Sequence, residues 1–358
     1  MRTLRLGLYF LAGILIAGVA IETALRFFPV TRGLFRTLEA SRWPLYANTA
    51  HTGYTYSMTW DFQRANTGRT NNYGHLAPFD FVKNSRPVLV LGDSFIEAQA
   101  LRYQDTLQGQ LARFAGAVVP VYGMGFAGNS IAEYLAIAGL TKDEFKPRAA
   151  VVLMIDGDIS EAIGAARLHY YFDFKDGQPS LQYQPSGGAS TARRIRESIG
   201  DSALYRYVYS NLRFSPDQVL RSLNTPSDGN GDGDKKGPND LSRSQAVVDV
   251  FLGEFSARSG IPVQCTVFLF DTDRADIYDK SHQRAAGKDT DELTAYFAAR
   301  ARRAGYQVVE LRPLFVSHYG RYQQRFDFSP LDNHWNWLGH KLAAEAAHAA
   351  LSQAASCL

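Results

Sequence analysis

The residues best suited to chemistry are one serine and one aspartate–histidine pair. Ser94 closes a Gly-Asp-Ser tripeptide that follows the apolar run 88–91, and His334 lies two residues after Asp332 in a polar segment far along the chain. A serine hydroxyl becomes an effective nucleophile when a base takes its proton during attack and a carboxylate orients that base. These residues therefore predict nucleophilic catalysis by Ser94, with His334 as the base and Asp332 as its carboxylate.

Composition limits the classes of protein that could use this chemistry. At 358 residues with 46% hydrophobic residues, the chain is long enough to bury a core, which excludes a disordered protein. Its 38 basic and 35 acidic residues give a net charge of +3 and form no basic block, so we expect no nucleic-acid partner. Cys265 and Cys357 lack the spacing of a zinc site, and we expect no metal and no cofactor. Whether these cysteines pair stays open.

Strand and helix patterns alternate along most of the chain. Short apolar runs predict buried strands at 88–91, 118–122, 149–155, 263–270 and 307–311. Amphipathic stretches predict helices at 104–114, 130–139, 244–259 and 289–303, and a last helix from Trp337 with Asn336 as its N-cap. Repeated strand–helix units imply right-handed crossovers between parallel strands. The sequence therefore predicts an α/β fold, a three-layer doubly wound (flavodoxin-like) parallel sheet.

The candidate residues follow the ends of the predicted strands. Ser94 comes after the first strand, Gly125 and Gly128 after the second, and residues 156–158 after the third. In doubly wound sheets, ligands bind outside the carboxyl ends of the strands. We therefore expect these loops to meet at one edge, with His334 held there by the helix that follows it.

Residues 1–28 have the pattern of a membrane anchor. Residues 6–21 carry no charge, and the stretch to residue 28 is long enough to cross a hydrocarbon core of roughly 30 Å. A cleaved signal peptide is the alternative, but we favour an uncleaved transmembrane helix because the segment lacks a convincing small-x-small cleavage site. The orientation stays open: more arginines follow the span than precede it, whereas a short tail with two arginines is typical of signal anchors.

The remaining organisation is a lead-in, a large domain and an insertion. We interpret residues 29–70 as a juxtamembrane lead-in and residues 71–358 as the α/β domain. Residues 165–240 are too long for a simple crossover, so we predict an inserted cap followed by a flexible linker at 225–240. The linker only partly matches a calcium-binding loop, and we expect no calcium site there. Cap tyrosines such as Tyr205 and Tyr209 are expected to pack on one helix face, the alternative being a substrate groove.

Taken together, these motifs resemble the SGNH, or GDSL-type, hydrolase superfamily. The resemblance rests on Gly-Asp-Ser at Ser94, on the glycines 125 and 128, and on Asp332-x-His334, and it covers residues from about 71 to 351. More narrowly, the anchor, residues 71–74 and the run Asp-x-His-Trp-Asn followed by Gly-His are similar to membrane-anchored members linked to surface-polysaccharide acylation, including the alginate acetylation proteins.

The resemblance implies a catalytic triad of Ser94, His334 and Asp332, with the backbone N–H groups of Ser94 and Gly128 stabilising the oxyanion. Members typically have Gly-Asn-Asp after the third strand, where the Asn side chain is a further oxyanion donor. This chain has Ile-Asp-Gly-Asp at 155–158 instead, and an ionised carboxylate cannot donate. Asn129 is therefore a candidate replacement donor.

Several other residues are candidates for substrate contact. Asn71 is a second candidate for the missing donor, and Asn71, Asp158 and Trp335 are candidate substrate contacts. Trp335 could stack on a sugar ring, but an aromatic residue beside a helix start is more often part of the core. His340 in the last helix and His318 in a loop are interpreted as packed or solvated side chains.

The resemblance also implies a function and a location. We expect a serine esterase acting on O-acyl groups of an envelope or extracellular polysaccharide. An O-acyltransferase would use the same acyl-enzyme, and a non-catalytic module binding a glycan or a partner would retain only the fold. A lipase or thioesterase fits the polar insertion less well. We expect a single-pass protein of the inner membrane with a periplasmic domain, and polysaccharide-assembly proteins as candidate partners.

Overall fold

The structure of the chain is a computed structural model that describes residues 2–34, 36–37, 43–116, 119–164, 169–184, 199–214, 241–278, 289–354 and 356–358. Its strands are β1 (Arg36–Thr37), β2 (Ala47–Asn48), β3 (Gly53–Met58), β4 (Gln63–Arg69), β5 (Val88–Gly92), β6 (Val121–Gly125), β7 (Ala149–Met154), β8 (Tyr170–Lys175), β9 (Gln178–Tyr183), β10 (Thr266–Phe270) and β11 (Gln307–Glu310). Its helices are α1 (Arg2–Leu25), α2 (Ser94–Glu97), α3 (Leu107–Phe114), α4 (Ile131–Phe145), α5 (Ala203–Arg206), α6 (Leu241–Ser259), α7 (Ala275–Tyr278), α8 (Asp289–Arg303), α9 (Leu311–Tyr322) and α10 (Trp337–Leu351).

Five strands form one parallel sheet in the order β6-β5-β7-β10-β11. Counted in chain order within the sheet, this is the order 2-1-3-4-5 of flavodoxin-like folds. All residues of β5, β7 and β10 are buried. A strand covered on both faces carries a continuous apolar run rather than an alternating one. The predicted doubly wound α/β fold is confirmed.

Helices cover the sheet in two layers. α3 packs against α10, and α6 packs against both α4 and α8. Ser130 begins α4 with a capping box, in which the Glu133 carboxylate accepts bonds from the Ser130 N–H and hydroxyl at 3.0 and 2.7 Å. This cap fixes where the loop after β6 ends.

Several elements differ from the predictions. The predicted strand 263–270 begins at Thr266, after a 3₁₀ turn at Val263–Cys265, and the predicted helix 130–139 continues to Phe145. β6 ends at Gly125 and pairs Val121 with Val88 of β5, so it lies later than the predicted run 118–122, whose first residue is outside the described part of the chain. Glycines have low strand propensity, and the two in β6 hid its second half. The prediction that His318 lies in a loop is wrong. It lies in α9, which contains a proline in its first turn, where a missing N–H is tolerated.

The N-terminal helix α1 contacts the folded domain at its C-terminal end. Within Arg5–Leu25, an 18-residue stretch has a mean hydropathy of 2.0. The helix is long and apolar enough to cross a membrane, although a signal sequence has the same properties. The Glu22 carboxylate accepts bonds of 2.9, 3.1 and 2.8 Å from the Ser202 hydroxyl and the N–H groups of Ala203 and Leu204. Glu22 therefore binds the otherwise unpartnered N–H groups at the start of α5.

The described part of the insertion contains the β8–β9 hairpin, α5 and a π-helical turn, Tyr207–Asn211. The rings of Tyr205 and Tyr209 stack 5.7 Å apart, in agreement with the expectation that they pack on one helix face. The Asn211 amide donates to the Ser57 hydroxyl at 2.7 Å, which joins the insertion to β3. The predicted linker at 225–240 lies outside the described residues.

A disulfide joins Cys265, directly before β10, to Cys357 at the C-terminus. Both residues are buried. The bond closes a loop between positions 92 residues apart and ties the chain beyond α10 to the start of β10, the strand next to the sheet edge. The sequence left this pairing open.

Cys357→Ser is expected to lower the free energy of unfolding by about 2–4 kcal/mol, because the bond restricts the unfolded chain. The measurement is denaturant unfolding of the full chain in detergent. The Cys265→Ser/Cys357→Ser double variant and the reduced wild type should lose a similar amount. A wild type that unfolds identically with and without reductant would contradict the prediction.

Candidate active site

Ser94 begins α2, the short helix that follows β5. The Asp93 carboxylate caps this helix by accepting a bond of 3.0 Å from the Phe95 N–H. The turn lies against β6 at Gly125, where an added Cβ would come within 2.5 Å of Ile96 Cβ. Glycine at that position lets the Ser94 turn pack directly on the neighbouring strand.

His334 and Asp332 meet Ser94 at the carboxyl edge of the sheet. His334 Nε2 lies 2.7 Å from Ser94 Oγ, and His334 Nδ1 is hydrogen-bonded to Asp332 Oδ1. With Nδ1 donating to the carboxylate, Nε2 is able to accept the serine proton. Asp93 Oδ2 lies 3.1 Å from the same hydroxyl, so the histidine offers the closer of two acceptors.

The segment that carries His334 is held on both sides. Asn336 caps α10 through its side-chain oxygen, as the sequence predicts. Buried Arg274 donates to the Asn333 carbonyl at 2.7 Å. The Trp335 indole N–H donates to the Asp271 carboxylate at 3.1 Å. These bonds fix the backbone before and after His334, which a base aimed at one hydroxyl requires.

Asp332 is shared between His334 and an arginine of the insertion. Arg213 Nη2 lies 2.9 Å from Asp332 Oδ2, and the Asp332 side chain is 6% exposed. Burial alone would raise the pKa of Asp332, but the hydrogen bonds and charge of His334 and the bond from Arg213 outweigh it and hold the pKa well below its usual range. Asp332 is therefore ionised at neutral pH, the state that stabilises an imidazolium.

The loop after β6 is tied to the Ser94 helix. Gly128 has a φ of +88°, a backbone conformation that favours glycine. Glu97, buried and one turn after Ser94, accepts a bond of 3.0 Å from the Ala127 N–H. Glu97 therefore sets the distance between the serine and the loop that carries Gly128. Its role has no signal in the sequence beyond its position in the turn after Gly-Asp-Ser.

Three of the predicted site residues are hydrogen-bonded to backbone groups other than those of Ser94. The Asn129 amide donates to the Gly92 carbonyl at 3.3 Å. The Asn71 side-chain oxygen accepts two backbone N–H bonds of its own turn, at 2.9 and 3.0 Å. The Asp158 carboxylate is buried and accepts a bond of 3.0 Å from the Ile155 N–H. None of the three lines the cavity at Ser94. Asn71 and Asp158 therefore accept hydrogen bonds within their own turns, and their contact with a substrate stays a prediction.

A cavity of about 170 Å³ opens over Ser94 and His334. Two of its walls come from segments that the sequence did not connect with the site: β3 contributes Tyr56 and Met58, and the insertion contributes Arg213. Their positions depend on long-range packing, and no local motif marks them. Trp335 also lines the cavity but is buried and meets the Phe95 ring edge-on at 5.4 Å, in agreement with a core position.

His340 lines the same cavity, yet its bonds show a packing role. Its Nδ1 accepts a bond of 3.0 Å from the Leu107 N–H at the start of α3, so a neutral ring carries its proton on Nε2. Burial lowers the pKa of His340 to about 3, and the charge of nearby His334 adds to the effect. A neutral His340 therefore joins α10 to α3, in agreement with its interpretation as a packed residue.

A second cavity, of about 240 Å³, borders Phe95 and is lined by Asp156, Asp271, Asp273 and Arg274. The Arg274 guanidinium lies 2.5 Å from Asp271 and partly neutralises this lining. In the described ranges, no group of three or more His, Cys, Asp or Glu side chains is arranged to hold a metal ion. We assign no cofactor to either cavity.

The fold and this edge define a flavodoxin-like α/β protein with a hydrogen-bonded serine, histidine and aspartate at the carboxyl ends of its strands. Among solved structures, the chain is similar to a member of the lipolytic protein G-D-S-L family from Veillonella parvula, at 11% identity over 75% of this chain and 99% of that chain, with a TM-score of 0.39. It is also similar to an acetyl xylan esterase, at 13% identity over 74% of this chain and 100% of that chain, with a TM-score of 0.41. A third similar structure is a carbohydrate acetylesterase from Sinorhizobium meliloti, at 9% identity over 75% of this chain and 99% of that chain, with a TM-score of 0.33. No protein-family model and no curated protein matches the chain.

Asp332→Asn is expected to lower the free energy of unfolding at neutral pH by about 1–3 kcal/mol, because it removes an ionised acceptor shared by His334 and Arg213. The folded-state pKa of Asp332 is depressed. Its stabilisation is therefore present above the unfolded pKa of about 3.9 and is lost as the pH falls through the folded value. Urea unfolding of wild type and variant between about pH 7 and pH 3 should show the difference shrinking at acid pH. Asp143→Asn, at an exposed position on α4, is the control and should show no such trend. A loss that is equal at every pH would contradict the prediction.

Proposed function

We propose that the chain is a serine esterase that cleaves short acyl esters through Ser94, His334 and Asp332. The observation that carries the proposal is the 2.7 Å contact between Ser94 Oγ and His334 Nε2, with Asp332 bonded to the other ring nitrogen. A base within this reach of a hydroxyl can take its proton as it attacks a carbonyl.

The proposed reaction has two halves. Ser94 Oγ attacks the ester carbonyl carbon while its proton passes to His334 Nε2, and Asp332 stabilises the resulting imidazolium. The tetrahedral intermediate collapses, the alcohol leaves with the proton from His334, and the acyl group remains on Ser94. Water, activated by the same histidine, then releases the acid. An alcohol in place of water would give acyl transfer.

The oxyanion would be held by the backbone N–H groups of Ser94 and Gly128. No side-chain amide follows the third strand here, because Asp158 stands there and is buried in a turn. The Asn129 amide gives one of its two N–H groups to the Gly92 carbonyl, and Asn129 does not line the cavity. Loss of one such donor costs about 10²- to 10³-fold in rate in enzymes where it has been removed. We therefore propose a slow esterase with a two-donor oxyanion hole.

The size of the cavity favours a short acyl group. At about 170 Å³ it is close to the roughly 150 Å³ of an engineered cavity that accepts one benzene molecule. An acetyl or similarly small group would fit within this volume, whereas a long acyl chain would exceed it. Glu97, Arg213 and Tyr56 add polar groups that suit an alcohol bearing hydroxyls.

We propose an acylated polysaccharide of the cell envelope as the substrate and the periplasm as the location. The disulfide supports an oxidising compartment. The contact of Glu22 with the start of α5 supports a retained α1, which would anchor the domain in the inner membrane. Proteins of polysaccharide assembly are the proposed partners.

Ser94→Ala is expected to lower kcat for small acetyl esters by at least about 10³-fold, because no other group supplies the acyl acceptor. The assay is hydrolysis of 4-nitrophenyl acetate by the full chain in detergent. Ser317→Ala, at an exposed position on α9, is the matched control and should keep wild-type turnover. Wild-type turnover in the Ser94 variant would refute the assignment.

Two further measurements distinguish the esterase from the binding module and from the acyltransferase. A fluorophosphonate probe should label wild-type Ser94 and leave the alanine variant unlabelled. A folded wild type that takes no label would favour the non-catalytic binding module. Faster release of the acyl group with an added sugar acceptor than with water alone would favour the acyltransferase.

Glu97→Ala is expected to lower kcat by about ten- to a hundredfold with little change in KM, because it frees the loop that positions Gly128. Glu97→Gln is the control, since its carbonyl oxygen can still accept the bond from the Ala127 N–H. Steady-state kinetics on a soluble acetyl ester measure both. Equal losses in the two variants would show that the charge of Glu97, and not this bond, matters.

A further inference from the structure

Large apolar side chains are exposed around the C-terminal end of α1. Phe27 is 85% and Phe28 54% exposed directly after the helix, Trp60 is 71% exposed at the tip of the β3–β4 hairpin, and Leu212 and Phe214 are 43% and 47% exposed in the insertion. We call these five residues the apolar patch. Soluble surfaces rarely expose several large apolar side chains together, so such a patch indicates a partner.

Direct contacts join the three segments that carry the patch. The Phe28 ring stacks on Phe62 of the hairpin at 5.3 Å, and Phe62 contacts the Tyr207 ring of the insertion at 5.4 Å. The Tyr207 hydroxyl donates to the Trp60 carbonyl at 2.9 Å. The end of α1, the hairpin tip and the insertion therefore form one packed unit, and the patch lies on it.

Because this unit is continuous with the end of α1, the partner of the apolar patch can be inferred from the properties of α1. α1 is the helix whose length and hydropathy suit a membrane, and the patch begins two residues after its last residue, Leu25. Tryptophan, with an apolar ring and a polar N–H, is enriched at the boundary between lipid and water, and exposed Phe and Leu side chains insert into the same boundary. Side chains grouped around the end of such a helix therefore fit a bilayer surface.

The cavity over Ser94 is built by the same segments. Met58 lines the cavity and lies two residues before Trp60, which is at most about 7 Å of chain. Arg213 lines the cavity and lies between Leu212 and Phe214. A surface that brought the patch to lipid would therefore bring the walls of the cavity formed by Met58 and Arg213 close to the lipid as well.

We propose that the apolar patch rests in the surface of the bilayer that α1 enters, and that it holds the Ser94 cavity against that surface. The consequence for substrate choice rests on the proposed esterase function: the cavity would favour acyl esters presented at the membrane, such as those on a lipid-linked glycan, over the same esters in solution.

The first test measures contact with lipid and needs no activity. The full chain is reconstituted in vesicles whose phospholipids carry bromine on the upper part of the acyl chains, and quenching of tryptophan fluorescence is recorded. Trp60→Phe should remove most of the quenching. Trp337→Phe is the matched control, because Trp337 is 52% exposed but lies on α10, outside the packed unit at α1. Equal quenching in the two variants would overturn the proposal.

The second test measures the effect on the site. Trp60→Ser/Phe214→Ser should hydrolyse an acetyl ester carried by a vesicle lipid about tenfold more slowly than wild type, since it loses two apolar anchors. It should hydrolyse soluble 4-nitrophenyl acetate at the wild-type rate. Val82→Ser/Val316→Ser removes exposed apolar side chains elsewhere and should match wild type on both esters.

The remaining outcomes are distinct. Equal losses on soluble and vesicle-borne ester would show that the patch only supports the fold, and would overturn the proposal. So would a dimer, detected by cross-linking in the vesicles, that disappears in the Trp60/Phe214 variant, because the patch would then bind a second copy. If Ser94→Ala left turnover intact, the esterase assignment would fail while the quenching result still decided the membrane contact.

Discussion

The site depends on one hydrogen bond, between Ser94 Oγ and His334 Nε2, because it joins two residues that are 240 positions apart in the sequence. The turn after β5 fixes the serine. The histidine precedes α10, whose position depends on its packing against α3 and on the bond from the Leu107 N–H to His340. The proposed proton transfer would tolerate displacements of well under an ångström, so helix packing far from the serine would contribute directly to it.

The pKa shifts distinguish Asp332 from two other carboxyl groups, those of Asp93 and Asp158. Burial raises the pKa of Asp93, and burial together with the charge of Asp93 raises the pKa of Asp158 well above its usual value. Asp332 alone among these three has a lowered pKa, because His334 and Arg213 both donate to it. The surroundings therefore favour Asp332 as the ionised partner of His334.

The sequence predicted the parts of the site that depend on local pattern. Ser94 follows a fully buried strand, and the position of a residue after a parallel strand places it at the ligand-binding edge.

The residues that form the walls of the cavity could not be predicted from local sequence patterns. β3 and β4 belong to a lead-in with weak strand patterning, and the turn between them has positive φ values at Thr59 and Phe62. Such backbone depends on tertiary packing rather than on propensity, and so Tyr56 and Met58 carried no signal. The second half of β6 was hidden for a related reason, since its glycines gain their strand conformation only from pairing with β5.

Asp332 also connects the chemistry with the N-terminal helix. One of its oxygens binds His334 and the other binds Arg213 of the insertion. The insertion is bonded in turn to Glu22 of α1 through the N–H groups of Ala203 and Leu204. Cleavage of α1 beyond Glu22 would expose these groups and loosen the element that carries Arg213. A cleaved signal sequence would have no need of such a contact, whereas the retained anchor proposed above would use it to help hold Arg213 beside Asp332. The bonds of Glu22 therefore support the proposal that α1 is retained in the folded protein.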